Sequence, residues 1–149
     1  MKGATVVFLT VTLLSSAGVF AQSRLEKPND LSFELLGRGF LYSMSYQRML
    51  SSTFGLEVGA SVLALEGDVI FPVFAGGRLY LSKNHISPTL SGGISYYFGP
   101  HADRGPHFYI GPGFEYRASG GFVARVAVYL MTWEDEKPVW PGISLGICF

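Results

Sequence analysis

The sequence predicts an all-β chain: an eight-stranded antiparallel up-and-down β-barrel. Three observations carry that expectation. Large apolar residues alternate with small or polar ones at period two through six separate stretches, the mark of strands with two unlike faces. Nineteen of the 149 residues are glycine, a composition ill suited to helices, where each glycine costs about 1 kcal/mol relative to alanine. No internal stretch reads as a membrane-crossing helix. The most apolar one, 61–81, carries Glu66, Asp68 and Arg78 together with Pro72, Gly67, Gly76 and Gly77, and a helix there would bury charge in lipid.

The length suggests a single domain behind a targeting segment. Lys2 supplies a short positive region, residues 4–20 an apolar one, and Val19-Phe20-Ala21 small residues at the two positions a signal peptidase reads. Residues 1–21 are therefore expected to be a cleaved signal peptide and 22–149 the barrel domain. An uncleaved membrane anchor is the competing reading, weakened by the Thr and Ser residues that interrupt the run. No cysteine follows the apolar run, so a lipid-modified N-terminus is not expected. Cys148 is the sole cysteine and has no partner within the chain, so the exported fold must be stable without a disulfide.

Each strand follows in order. Residues 31–50, LSFELLGRGFLYSMSYQRML, read as a hairpin turning at Gly37-Arg38-Gly39, because glycine supplies the positive φ that tight turns need. Read instead as one long bent strand, the segment gives seven strands and puts the two chain ends on opposite sides. Residues 54–65 set Phe54, Leu56, Val58, Ala60 and Val62 against Gly55, Glu57, Gly59 and Ser61. Residues 69–82 set Val69, Phe71, Val73 and Leu79 against Phe74, Gly76, Arg78 and Tyr80. Residues 86–99 set Leu90, Ile94, Tyr96 and Phe98 against Ser91, Gly93 and Tyr97. Residues 106–118 set Phe108, Ile110, Phe114 and Tyr116 against Tyr109, Glu115 and Arg117. Residues 121–133 set Phe122, Val126, Val128 and Leu130 against Val123, Arg125 and Tyr129. The last stretch, 139–149, keeps the same rule.

The strand charges Glu57, Arg78, Glu115, Arg117 and Arg125 all fall on the face rich in Gly and Ser. In a soluble barrel of lipocalin type that face would meet water and the apolar face would enclose a ligand. In a membrane barrel the apolar face meets lipid, and the charges form an ionic network in a narrow lumen. Aromatics favour the membrane. Tyr96, Phe98, Trp133 and Trp140 sit near strand ends, as a belt at the lipid–water boundary would; cross-strand packing inside a core is the alternative. Charge favours it too. Only 15% of residues are charged, and lysine occurs only at 2, 27, 83 and 137, outside the expected strands. Formal net charge is zero, which gives no electrostatic case for nucleic acid.

The chain ends in GISLGICF, with Ile143, Leu145, Ile147 and a terminal Phe149 alternating with small residues. That ending resembles the C-terminal assembly signal of bacterial outer-membrane β-barrels. With ELLGRGFLYSMSYQRML and FGLEVGAS, the chain looks most like the small eight-stranded OmpA/OmpX-type barrels, particularly short outer-membrane proteins of Bacteroidetes-like bacteria. The resemblance covers 22–149. It implies an outer-membrane location, last strand paired with first, and both ends in the periplasm. It also implies contact with outer-membrane lipid and lipopolysaccharide, delivery by the barrel-assembly machinery, and a monomer. MLSST, SKNHIS and ASGG would be periplasmic turns. GRG, LEGD, GPHADRGP and WEDEKPV would face outside, and their shortness departs from the long outer loops common in the family.

No residue stands out as catalytic, cofactor-binding or metal-ligating. Some barrels of this size are lipid-modifying enzymes that use a His with a Ser and an acid, but the His-x-Ser pattern is absent here. His101, Asp103 and His107 gather in one loop without a third ligand for a metal, and a solvated loop is the plainer reading. His85 falls in a turn. The function expected is therefore a non-catalytic outer-membrane barrel, structural or narrowly conducting.

Overall fold

The computed structural model describes residues 24–65, 68–100, 105–132 and 138–149. The expected signal peptide, Trp133, His101 and Asp103 lie outside the described residues. The elements in chain order are β1 (Asn29–Leu36), a one-turn 3-10 helix (Gly37–Gly39), β2 (Tyr42–Met49), β3 (Phe54–Ala60), β4 (Leu63–Leu65), β5 (Asp68–Tyr80), β6 (Ile86–Phe98), β7 (His107–Arg117), β8 (Phe122–Met131) and β9 (Val139–Cys148). Every neighbouring pair is antiparallel. β9 returns to pair with β1, and β3 pairs with β5, so the sheet closes on itself and leaves no edge.

The barrel has eight strands, because β3 and β4 are two parts of one. Ala60 lies opposite Val73 and Leu63 opposite Ile70, in one unbroken register against β5. The ladder lapses only where Ser61 meets Pro72. Ser61 donates its N–H to the Pro72 carbonyl at 2.8 Å, but proline has no N–H to return. The same cause interrupts β7 and β8, where pairing passes from Ile110–Leu130 to Gly113–Ala127 across Pro112.

The Gly37–Gly39 segment turns the expected hairpin, at the same end of the barrel as the β6–β7 and β8–β9 connections. It does not project from that end as a loop: Gly37, Arg38 and Gly39 are all buried. Positive φ angles at Leu36 (59°), Gly37 (76°) and Phe40 (68°) fold the turn back over the mouth of the barrel and drop the Arg38 side chain into the lumen. Two of these are non-glycine residues in a sparsely populated region, a cost the surroundings must offset.

The inside and the outside are inverted relative to a soluble protein. The exposed surface is made of Val58, Phe71, Leu79, Ile110, Phe114, Val126 and their neighbours, whereas Asp30, Glu34, Gln47, Glu57 and Glu115 are buried. The soluble lipocalin-type alternative requires the opposite arrangement. Among the described residues, no helix is long and apolar enough to cross a membrane.

Candidate functional site

The lumen is where the chemistry collects. Alternation delivers it: along β1 the inward residues are Asp30, Ser32 and Glu34, and along β7 they include Glu115 and Arg117. β3 adds Glu57, β5 Arg78 and Tyr80, and β8 Arg125 and Tyr129. In this space every carboxylate must meet a cation or a donor, because an isolated buried charge costs several kcal/mol.

Two clusters result. Towards the loop end, Arg38 grips Glu57 through both carboxylate oxygens, at 2.7 and 3.0 Å, and reaches Glu34 at 3.3 Å. Arg78 approaches the same Glu57 at 2.9 Å and donates through Nε to Ser91. Tyr129 donates its hydroxyl to Glu34 at 2.9 Å. The Arg38 guanidinium also lies over the Phe74 ring, 4.3 Å from its centroid, and near those of Tyr129 and Tyr109, so aromatic faces cover what the carboxylates leave open. Towards the turn end, Arg125 binds Asp30 with two nitrogens at 2.5 and 3.2 Å and Glu115 with Nε at 2.8 Å. Arg117 pairs with Glu115 at 3.1 Å. Tyr80 donates to Glu115 at 2.8 Å and accepts from Gln47 at 2.7 Å. Ser32 hydrogen-bonds Asp30.

Of the charges singled out from sequence, the structure brings Glu57 to Arg78 and brings Glu115 to Arg117 and Arg125. It does not put the five in one group. Residues that sequence reasoning passed over complete each cluster: Glu34 and Arg38 the first, Asp30 and Arg24 the second. Asp30 and Glu34 obey the same period-two rule, alternating with Leu31, Phe33 and Leu35, so that signal was present. Arg38 and Arg24 lie outside the strands, where the rule is silent.

The terminal residues Ile143, Leu145, Ile147 and Phe149 all point outward and are exposed. Tyr96 and Phe98 also point outward, with rings stacked 6.4 Å apart at the loop end. Trp140 departs from the expected belt. It turns inward, sets its ring edge against Phe40 at 6.3 Å, and donates Nε1–H to the Phe40 carbonyl at 3.3 Å. It braces the inturned hairpin rather than facing outward. The ring nitrogens Nδ1 of His85 and His107 lie on the backbone carbonyls of Arg117 and Thr132. Among the described residues, no three His, Cys, Asp or Glu side chains gather as a metal site.

No protein-family model matches the sequence, and no curated protein is similar to it. Solved structures are similar in shape. The N-terminal β-barrel domain of Pseudomonas aeruginosa OprF superposes with a TM-score of 0.65 at 13% identity, covering 81% of this chain and 95% of that one. Yersinia pestis outer membrane protein Ail, in a phospholipid bilayer nanodisc, gives 0.54 at 13% identity, covering 81% and 98%. At that identity the likeness speaks of fold alone, and it agrees with the closed ladder, the apolar exterior and the ionic lumen: the chain has the fold of the small eight-stranded transmembrane β-barrels.

Proposed function

We propose that the chain is an integral outer-membrane β-barrel protein whose lumen is filled by its own side chains, with a structural or at most narrowly conducting role and no catalysis. The observation that carries this reading is the inversion of polarity. A continuous apolar exterior surrounds a buried network of arginines and carboxylates, an arrangement stable in hydrocarbon and unstable in water. The similar solved barrels include an outer membrane protein, which supports the location. Residues 1–21 serve as a cleaved signal peptide for export. Ile143, Leu145, Ile147 and Phe149 present the outward apolar pattern that the assembly machinery reads, and the monomer then contacts lipid and lipopolysaccharide.

The test is migration of the envelope-fraction protein on SDS gels, unheated and boiled, followed by conductance across planar bilayers. A fast unheated band that slows on boiling, with little or no conductance, is the expected result. A soluble protein whose mobility does not depend on heating overturns the membrane reading.

A further inference from the structure

The residues before β1 do not trail away from the barrel. They cross its open end. Pro28 gives its carbonyl to the Met49 N–H at 2.7 Å, which ties the segment to β2. Lys27 lies between β7 and β8: its carbonyl accepts from Arg117 Nη1 at 3.5 Å, and its Nζ reaches the Ser119 carbonyl at 3.4 Å. Arg24 then lands on the far wall. Its Nη1 donates to the Ser82 carbonyl at 2.9 Å and its Nη2 to the Asn84 carbonyl at 3.4 Å, both in the turn between β5 and β6. In the closed ring β6 stands halfway round from β1. The guanidinium lies over the Tyr80 ring at 4.4 Å and brings Nε to 3.5 Å from Glu115, and Arg24 is only 3% exposed. An arginine on an untethered tail would sit in water. Only a planar fork of donors can cap two turn carbonyls while touching a carboxylate and a ring.

We propose that residues 24–28 form a strap, bolted by Arg24, that closes the turn end of the lumen and holds the Asp30–Glu115 cluster away from water. While the strap is latched the barrel is blind at that end, whatever its loop end admits. Its release connects the aqueous phase to the ionic lumen without unpairing any strand.

The chain carries its own reporter. Cys148, the only cysteine, is buried on the inner face at this end, with Sγ 3.4 Å from Asp30 Oδ2. The full chain, folded in detergent micelles, is treated with a charged methanethiosulfonate reagent, and modification of Cys148 is followed by mass. Wild type should react slowly, and Arg24→Ala about tenfold faster or more, while keeping the heat-dependent gel shift of a closed barrel. Equal rates in two folded proteins overturn the strap. A second measurement needs no variant. Trypsin should leave the Arg24–Leu25 bond of the folded wild type intact, because a bolted arginine cannot enter the protease. Rapid cleavage there, with the barrel still closed, overturns the proposal even where Arg24→Ala fails to fold.

Discussion

Arg38 concentrates the fold's polar stability in one side chain. It is 1% exposed, compensates Glu57 and Glu34, and packs against aromatic rings. Removing it leaves buried Glu57 with Arg78 as its remaining cation and buried Glu34 with hydroxyl donors alone. Arg38→Ala should therefore cost about 3–5 kcal/mol of unfolding free energy, the usual penalty for breaking a buried pair from one side. Arg38→Lys should recover only part of it, since an ammonium cannot reproduce the two-pronged contact with Glu57. Urea titration of the barrel folded in vesicles measures both; a wild-type midpoint in Arg38→Ala would mean that Glu57 and Glu34 do not depend on this guanidinium. This residue also marks where the sequence stops being legible. Glu57, Arg78, Glu115, Arg117 and Arg125 declare their inward direction by strand alternation. Arg38 sits in a three-residue turn, where Gly-Arg-Gly reads equally well as a solvent-facing hairpin tip. Its inward direction depends on φ angles and on Trp140 and Phe40, a long-range arrangement no local pattern encodes.

Strand pairing is legible to within a residue or two at most strand ends, because each apolar run stops at a turn signal. The lapses within ladders are less so, since a proline's effect depends on which neighbour its missing N–H would face. Between β7 and β8 the bonded pairs at the two ends of the ladder are Phe108–Thr132 and Ala118–Phe122. Bonded pairs recur at every second residue, which makes Pro112–Val128 a bonded pair with one donor missing. Pro112→Val should restore that bond and raise stability by about 1 kcal/mol, visible as a higher urea midpoint and a slowly exchanging amide at 112. An unchanged midpoint with a fast-exchanging amide would place the lapse elsewhere. Glycines set a second constraint on these elements. A Cβ on Gly93 would collide with the Ala75 carbonyl, the Gly76 backbone and the Tyr109 hydroxyl, two of them main-chain groups with nowhere to move. Gly93→Ala should therefore destabilise the β5–β6 pair by about 1–3 kcal/mol, read as a lower unfolding temperature of the fast-migrating gel band. Tolerance at that position would mean that the two strands stand further apart than their pairing indicates.

At the scale of the whole molecule, the inverted polarity makes a prediction that no soluble barrel shares. Val126 and Phe122 both point outward from β8, Val126 near mid-strand and Phe122 at its turn end. In water an exposed arginine at either position would be nearly neutral. In a bilayer the cost depends on depth: about 2–4 kcal/mol for arginine at the midplane, falling to about 0–1 kcal/mol near the interface, where the side chain can reach headgroups. Val126→Arg should therefore lower the unfolding free energy in phosphatidylcholine vesicles by the larger amount and Phe122→Arg by the smaller. Both are measured by urea titration in the same vesicles. The difference between the two variants is the informative quantity, because any general effect of adding a cation to β8 cancels in it. Equal, small effects would mean that the apolar exterior does not lie in hydrocarbon. A steep difference fixes the barrel's depth from its own side chains, with the ionic lumen at the centre of the same slab.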